Sequence, residues 1–171
     1  MDNSKKLLFS ELENHINDDS LYVYEEKLID ALENSDHRES YIEEIFKIME
    51  RYPLIDWGMP GAFVVFLESF DNETYEKNLL NSLSRQPTLQ TVWMLNRQIN
   101  SVGTENKEPF LKVLREIACN SSLERDIAES AKNFVEYQDK VAKSIPSSPP
   151  KTTFNSLEQI FNMFKFIPKD K

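Results

Sequence analysis

LQTVWMLNRQIN, residues 89 to 100, spaces its apolar side chains as a helix does, with Leu89, Val92, Trp93 and Ile99 on one face. Asn96 falls in the middle of that stripe, and Asn100 lies one turn further on. A buried amide without a partner costs on the order of 1–3 kcal/mol, so both are expected to bond to a neighbouring helix or connection. The irregular run DWGMPG, residues 56 to 61, is the natural counterpart, because two glycines and a proline break a helix and leave backbone groups unsatisfied. The pattern predicts that Asn96 and Asn100 tie this turn, or the helix ends beside it, to the core. The alternative is a polar patch in which they join Arg97 and Gln98 in facing a partner.

The same 3.6-residue period runs through nearly all of the 171 residues. It predicts helices over 4–17, 20–34, 38–52, 60–70, 73–85, 88–101, 108–119, 122–142 and 155–166. Their breaks have local causes. Asn34, Ser35 and Asp36 supply turn and capping residues, Pro53 stops the third helix, and Pro87 and Pro109 stand where helices start. Ser122 offers a cap without a full capping box, since position 125 is Arg. Only three glycines, Gly58, Gly61 and Gly103, occur in the chain, too few for the tight turns of a β-rich fold. An all-α fold follows. Short connections favour antiparallel helical hairpins, and pairing 20–34 with 38–52, 60–70 with 73–85 and 88–101 with 108–119 suggests a short HEAT-like solenoid; a compact irregular helical bundle is the competing arrangement.

Charge divides unevenly. Residues 1–52 carry 14 acidic and 6 basic side chains, net −8; residues 53–140 carry 13 and 9, net −4; residues 141–171 carry 2 and 5, net +3. The acidic front repels phosphate backbones and attracts basic proteins, which argues against nucleic acid as the partner. Residues 1–143 are expected to form one acidic helical domain. SIPSSPPKTTF, residues 144–154, holds three prolines and five Ser or Thr and reads as a linker. Beyond it, residues 155–171 form a basic amphipathic segment with Leu157, Ile160, Phe161 and Phe164 on one face, either docked back on the domain or free to touch a partner or membrane surface.

Catalytic and cofactor motifs are not evident. His15 and His37 lie far apart in sequence and lack metal-ligand spacing, and Cys119, after Ile117 and Ala118, reads as a buried structural thiol. No glycine-rich phosphate loop, nucleophile elbow or HExxH occurs, so neither an enzyme nor a bound metal or cofactor is expected. No apolar run reaches the roughly 20 residues of a membrane span, and MDNSKKLLFSELENH lacks a signal peptide's apolar core, which points to the cytoplasm. The single cysteine fits a reducing compartment.

Acidic residues, by contrast, are ordered. Glu26, Asp30 and Glu33 lie opposite Tyr24, Leu28 and Leu32, and Glu39, Glu43 and Glu50 lie opposite Ile42, Ile45 and Met49. Such faces occur on ordinary solvated helices, yet like charges one turn apart cost about 0.2–0.5 kcal/mol each. Tolerating that repulsion suggests a cationic partner, with Tyr22, Glu26, Asp30, Glu33, Glu39 and Glu43 as its contacts.

From Trp57 to Asn100 the chain resembles the shared core of small helical immunity proteins from bacterial polymorphic-toxin and contact-dependent growth inhibition systems. The residues that carry the likeness are Trp57, Gly58 and Pro60 in the turn, then Leu80, Ser82, Leu83, Arg85, Pro87 and Thr88, then Trp93, Leu95, Asn96, Arg97 and Asn100. The resemblance covers about a quarter of the chain, and its pattern is structural. It implies a non-enzymatic protein that binds and blocks the toxic domain of its own system, with a basic nuclease as the toxin best suited to the acidic front. A HEAT-like adaptor or scaffold without a toxin partner is the alternative.

Overall fold

The structure, a computed structural model, describes residues 3–144; of the expected linker only Ser144 is among them, as the last residue of a helix, and the rest of it and the expected C-terminal helix lie outside these residues. Among the described residues there are eight α-helices and no strand. They are α1 (Asn3–Asn14), α2 (Leu21–Glu33), α3 (Ile42–Arg51), α4 (Ala62–Glu68), α5 (Asn72–Arg85), α6 (Leu89–Ser101), α7 (Glu108–Ala118) and α8 (Arg125–Ser144). Short 3-10 turns at Arg38–Tyr41 and Thr104–Asn106 precede α3 and α7. The all-helical expectation holds. By contact density the chain divides after Glu136, so the core described here is that of the first unit.

Each apolar stripe is buried where its period puts it. Phe9 and Leu12 of α1 and Leu21, Leu28, Ile29 and Leu32 of α2 are buried, as are Ile42, Ile45, Phe46, Ile48 and Met49 of α3. Helix α1 packs on α2, α2 on α4, α3 on α5, α5 on α6 and α6 on α7. Contacts of α2 with α4 and of α3 with α5 are those that two stacked hairpins make; from α5 onward the principal contacts join consecutive helices. The expected pairing of 20–34 with 38–52 takes a different form. The 3-10 turn at residues 38–41, which the period had merged into one helix over 38–52, packs on α2 and on α3 and carries the principal contact between this segment and α2.

Polar ties reinforce these contacts. Glu50 accepts from Ser82 Oγ at 2.7 Å and from Arg85 Nη2 at 2.7 Å, joining α3 to α5, and Arg51 reaches Glu13 of α1 at 2.6 Å. Glu50 therefore belongs to an internal ion pair and not to an open acidic face.

Helix ends follow local chemistry. Asp71 caps α5 by accepting from Thr74 N–H at 2.9 Å. At α6, Thr88 Oγ1 accepts from Thr91 N–H at 3.0 Å while Thr91 Oγ1 accepts from Thr88 N–H at 3.0 Å, a reciprocal pair buried against the core. Thr88→Ala is expected to lower stability by about 1–2 kcal/mol, read as a shift in the urea midpoint with unchanged slope.

Two local expectations fail. The last described helix begins at Arg125, after a turn at Ser121–Leu123, so Ser122 does not cap it. Cys119 is exposed, because α7 stops at Ala118 and the thiol lies just past the end of its apolar stripe.

Candidate functional site

Acidic residues of α2 are laid out as their spacing predicts. Tyr22, Glu26, Asp30 and Glu33 are exposed, and Val23 beside them is 64% exposed. Among the described residues none of Glu26, Asp30 and Glu33 has a cationic partner. On the following segment Glu39 is exposed in the 3-10 turn, and Glu43 shares Lys47 with Glu44, at 3.3 and 3.1 Å. Charge on α2 is thus uncompensated, whereas on α3 it is partly neutralised.

Next to this face lies the Asp56–Gly61 turn. Tyr22 Oη donates to the Asp56 carbonyl at 3.3 Å, and Asp56 Oδ1 accepts from Gly58 N–H at 2.9 Å. Gly58 has φ +84°, a left-handed conformation that glycine adopts without strain, and the Met59–Pro60 peptide is cis. Trp57 is fully buried with its ring 5.1 Å from that of Phe63, while Met59 and Pro60 face outward. Leu54, Met59 and Val65 add exposed apolar surface on this turn, the loop before it and α4.

Two residues that the sequence pattern passed over hold the turn. Gln90 of α6 donates from Nε2 to the Gly58 carbonyl at 2.9 Å. Glu25 of α2, only 1% exposed, accepts from Phe63 N–H at 2.8 Å. Gly61, the residue before α4, has no capping side chain, so the Glu25 carboxylate caps the helix from another one. Burial pushes the Glu25 carboxyl up to about 7; the Phe63 N–H opposes that rise, and the nearby charges of Glu26 and Asp56 add to it. The signal for Glu25 was present in the sequence, since it interrupts the stripe Leu21, Leu28, Leu32 as Asn96 interrupts that of α6.

Asn96 is buried and Asn100 exposed, while Pro87 is buried and Trp93 half-buried. Arg97 stacks its guanidinium 5.5 Å from the Trp93 ring and binds Glu68 of α4 through two hydrogen bonds, at 2.7 and 3.1 Å. Arg97 and Asn100 line a cleft of about 480 Å³ between the ends of α4 and α6 and the start of α5, together with Glu68 and Tyr75. The Tyr75 hydroxyl is buried without a hydrogen-bond partner, and its burial pushes the phenol well above its ordinary range.

His15 stacks on Tyr24 with ring centroids 3.8 Å apart, and His37 is exposed at the start of the 3-10 turn. No group of three or more His, Cys, Asp or Glu is placed to hold a metal ion among the described residues, and none of their helices is long and apolar enough to cross a membrane. No family model, curated protein or solved structure matches the chain.

Proposed function

We propose that the chain is an immunity protein that binds a cognate bacterial toxin domain and blocks it, acting in the cytoplasm without catalysis of its own. The observation that carries this reading is the outer face of α2. Glu26, Asp30 and Glu33 stand exposed without cationic partners, beside exposed Tyr22 and Val23. Such a face combines charge that steers a basic protein inward with aromatic and aliphatic surface that anchors it. A nuclease, whose groove is basic because it receives phosphate, is the occupant this chemistry suits best. The likeness of residues 57 to 100 to immunity proteins supports the same reading.

Reversing charge at Glu26, Asp30 and Glu43 together (Glu26→Lys, Asp30→Lys, Glu43→Lys) is expected to slow association on the order of tenfold or more at low salt. Stopped-flow rates over a salt series check this, and a wild-type rate that ignores salt would remove the electrostatic mechanism. The function itself is tested by co-expression with the product of the adjacent upstream gene. Rescue of growth with co-purification supports an immunity protein; a harmless neighbour product that does not bind rejects it.

A further inference from the structure

Arg97, Asn100 and Ser101 fall at i, i+3 and i+4 on α6, so one face of that helix carries all three. Across from them α4 ends on Glu68, and α5 opens with Tyr75, whose N–H closes the first turn on the Asp71 carbonyl at 3.0 Å. These three helix ends leave between them the cleft of about 480 Å³, a size that takes a whole small molecule. The proposed function makes no use of it.

Tyr75 is the feature that marks this cleft as a binding site. The residue is 6% exposed, and its hydroxyl is buried without a hydrogen-bond partner among the described residues. An unpaired buried hydroxyl costs stability that a Phe would keep. Burial raises the phenol, the Glu68 charge adds to the rise and Arg97 opposes it, so the hydroxyl lies within reach of both and stays a protonated donor. The Arg97 and Glu68 side chains are 47% and 29% exposed, so the ion pair forms the rim and the hydroxyl the dry floor.

The lining selects the ligand. Glu68, together with Glu76 bonded to Gln98 at 2.5 Å, opposes an anion, and Arg97 opposes a cation, which leaves a neutral molecule. Arg97 spends two N–H groups on Glu68, at 2.7 and 3.1 Å, and keeps further donors, while each Glu68 oxygen keeps a lone pair. A carbonyl oxygen can therefore accept from the Tyr75 hydroxyl and the Arg97 edge while a neighbouring N–H donates to Glu68. The rings of Phe70 and Tyr75 add flat apolar lining. We infer that the cleft binds a small uncharged ring bearing a carbonyl beside an N–H, as uracil-type lactams do, with Tyr75, Arg97 and Glu68 reading that edge. Binding gives the Tyr75 hydroxyl the acceptor it lacks. None of these residues belongs to the outer face of α2, so the site stands whether or not that face receives a toxin.

The test titrates the isotope-labelled full chain with uracil and follows the Arg97 Nε–H resonance, assigned by its loss in Arg97→Lys. A fragment of this size is expected to saturate with a Kd on the order of 1 mM. Tyr75→Phe should melt no lower than wild type and bind uracil about fivefold more weakly, whereas a Tyr75 that serves packing alone would leave affinity unchanged. N,N′-dimethyluracil, which has no N–H for Glu68, and orotate, which adds a carboxylate, should each bind wild type about fivefold more weakly than uracil. No saturable shift, equal affinity of Tyr75→Phe, or equal affinity for either analogue would overturn the inference. Destabilisation by Tyr75→Phe would show that the hydroxyl already has a partner and would overturn it too. So would tighter binding of N-acetylglycinamide, an open-chain amide, which would assign the cleft to a peptide.

Discussion

Gly61→Ala is expected to cost about 4 kcal/mol or more, the end of the mutational range reserved for severe overpacking and strain. A Cβ at Gly61 would overlap the Trp57 carbonyl oxygen and lie 2.8 Å from the Trp57 carbonyl carbon. Both are backbone atoms, so no rotamer change relieves the clash. The turn would have to open, and Trp57, fully buried against Phe63, would lose its seat together with the Glu25 cap on α4. Against a total stability of roughly 5–15 kcal/mol, such a loss lowers the melting temperature by on the order of 10 °C or more. A calorimetric scan checks it; a variant melting within about two degrees of wild type would show that the turn is not the rigid joint described.

The second large effect is a pH dependence with the opposite sign to that of an ordinary salt-bridged carboxylate. Folded Glu25 titrates at about 7, up from the 4.5 of the free side chain, so between these values the native state holds a proton that the unfolded chain releases. The stabilisation is complete below pH 4.5 and is lost as pH rises through the folded value, by up to about 3 kcal/mol. Asp71, held below the usual carboxylate range by its Thr74 bonds, works the other way and in a lower window. Urea unfolding at pH 5 and pH 8 should show wild type losing stability on the basic side, with Glu25→Gln nearly flat across the same interval. Identical profiles for the two proteins would show that Glu25 is already ionised when folded.

Much of the fold was legible because it is local. The periods that predicted α2, α3 and α6 recur as buried Leu28 and Leu32, Ile45 and Met49, Val92 and Ile99. Pro87 marked the start of α6 to within two residues; it precedes the cap Thr88, whose reciprocal partner is Thr91 and not the usual Glu or Gln. What stayed hidden was tertiary. Which helix covers which depends on the angle at which one helix follows another, and no spacing rule encodes that angle. Glu25 was passed over, because a Glu among leucines reveals its role only when the Phe63 N–H appears opposite it. Asn96 and Asn100 were expected to tie the DWGMPG turn; the ties seen at it, from Gln90 to the Gly58 carbonyl and from the Phe63 N–H to Glu25, involve residues that attracted no attention in the sequence. Cys119 was misplaced by one position, which at a helix end is the difference between core and water.

On α2 the residues that build the fold and those that the proposed function offers to a partner alternate along thirteen positions, and only Tyr22 of the latter bonds to the fold, through the Asp56 carbonyl. Val23, Glu26, Asp30 and Glu33 look outward, and their side chains make no hydrogen bond or ion pair within the described residues. Exchanges there should leave stability within about 0.5 kcal/mol. Selection can then rewrite recognition one codon at a time while Leu21, Glu25, Leu28 and Leu32 stay fixed beneath, which lets a lineage of such chains diversify its pairings without first acquiring spare stability.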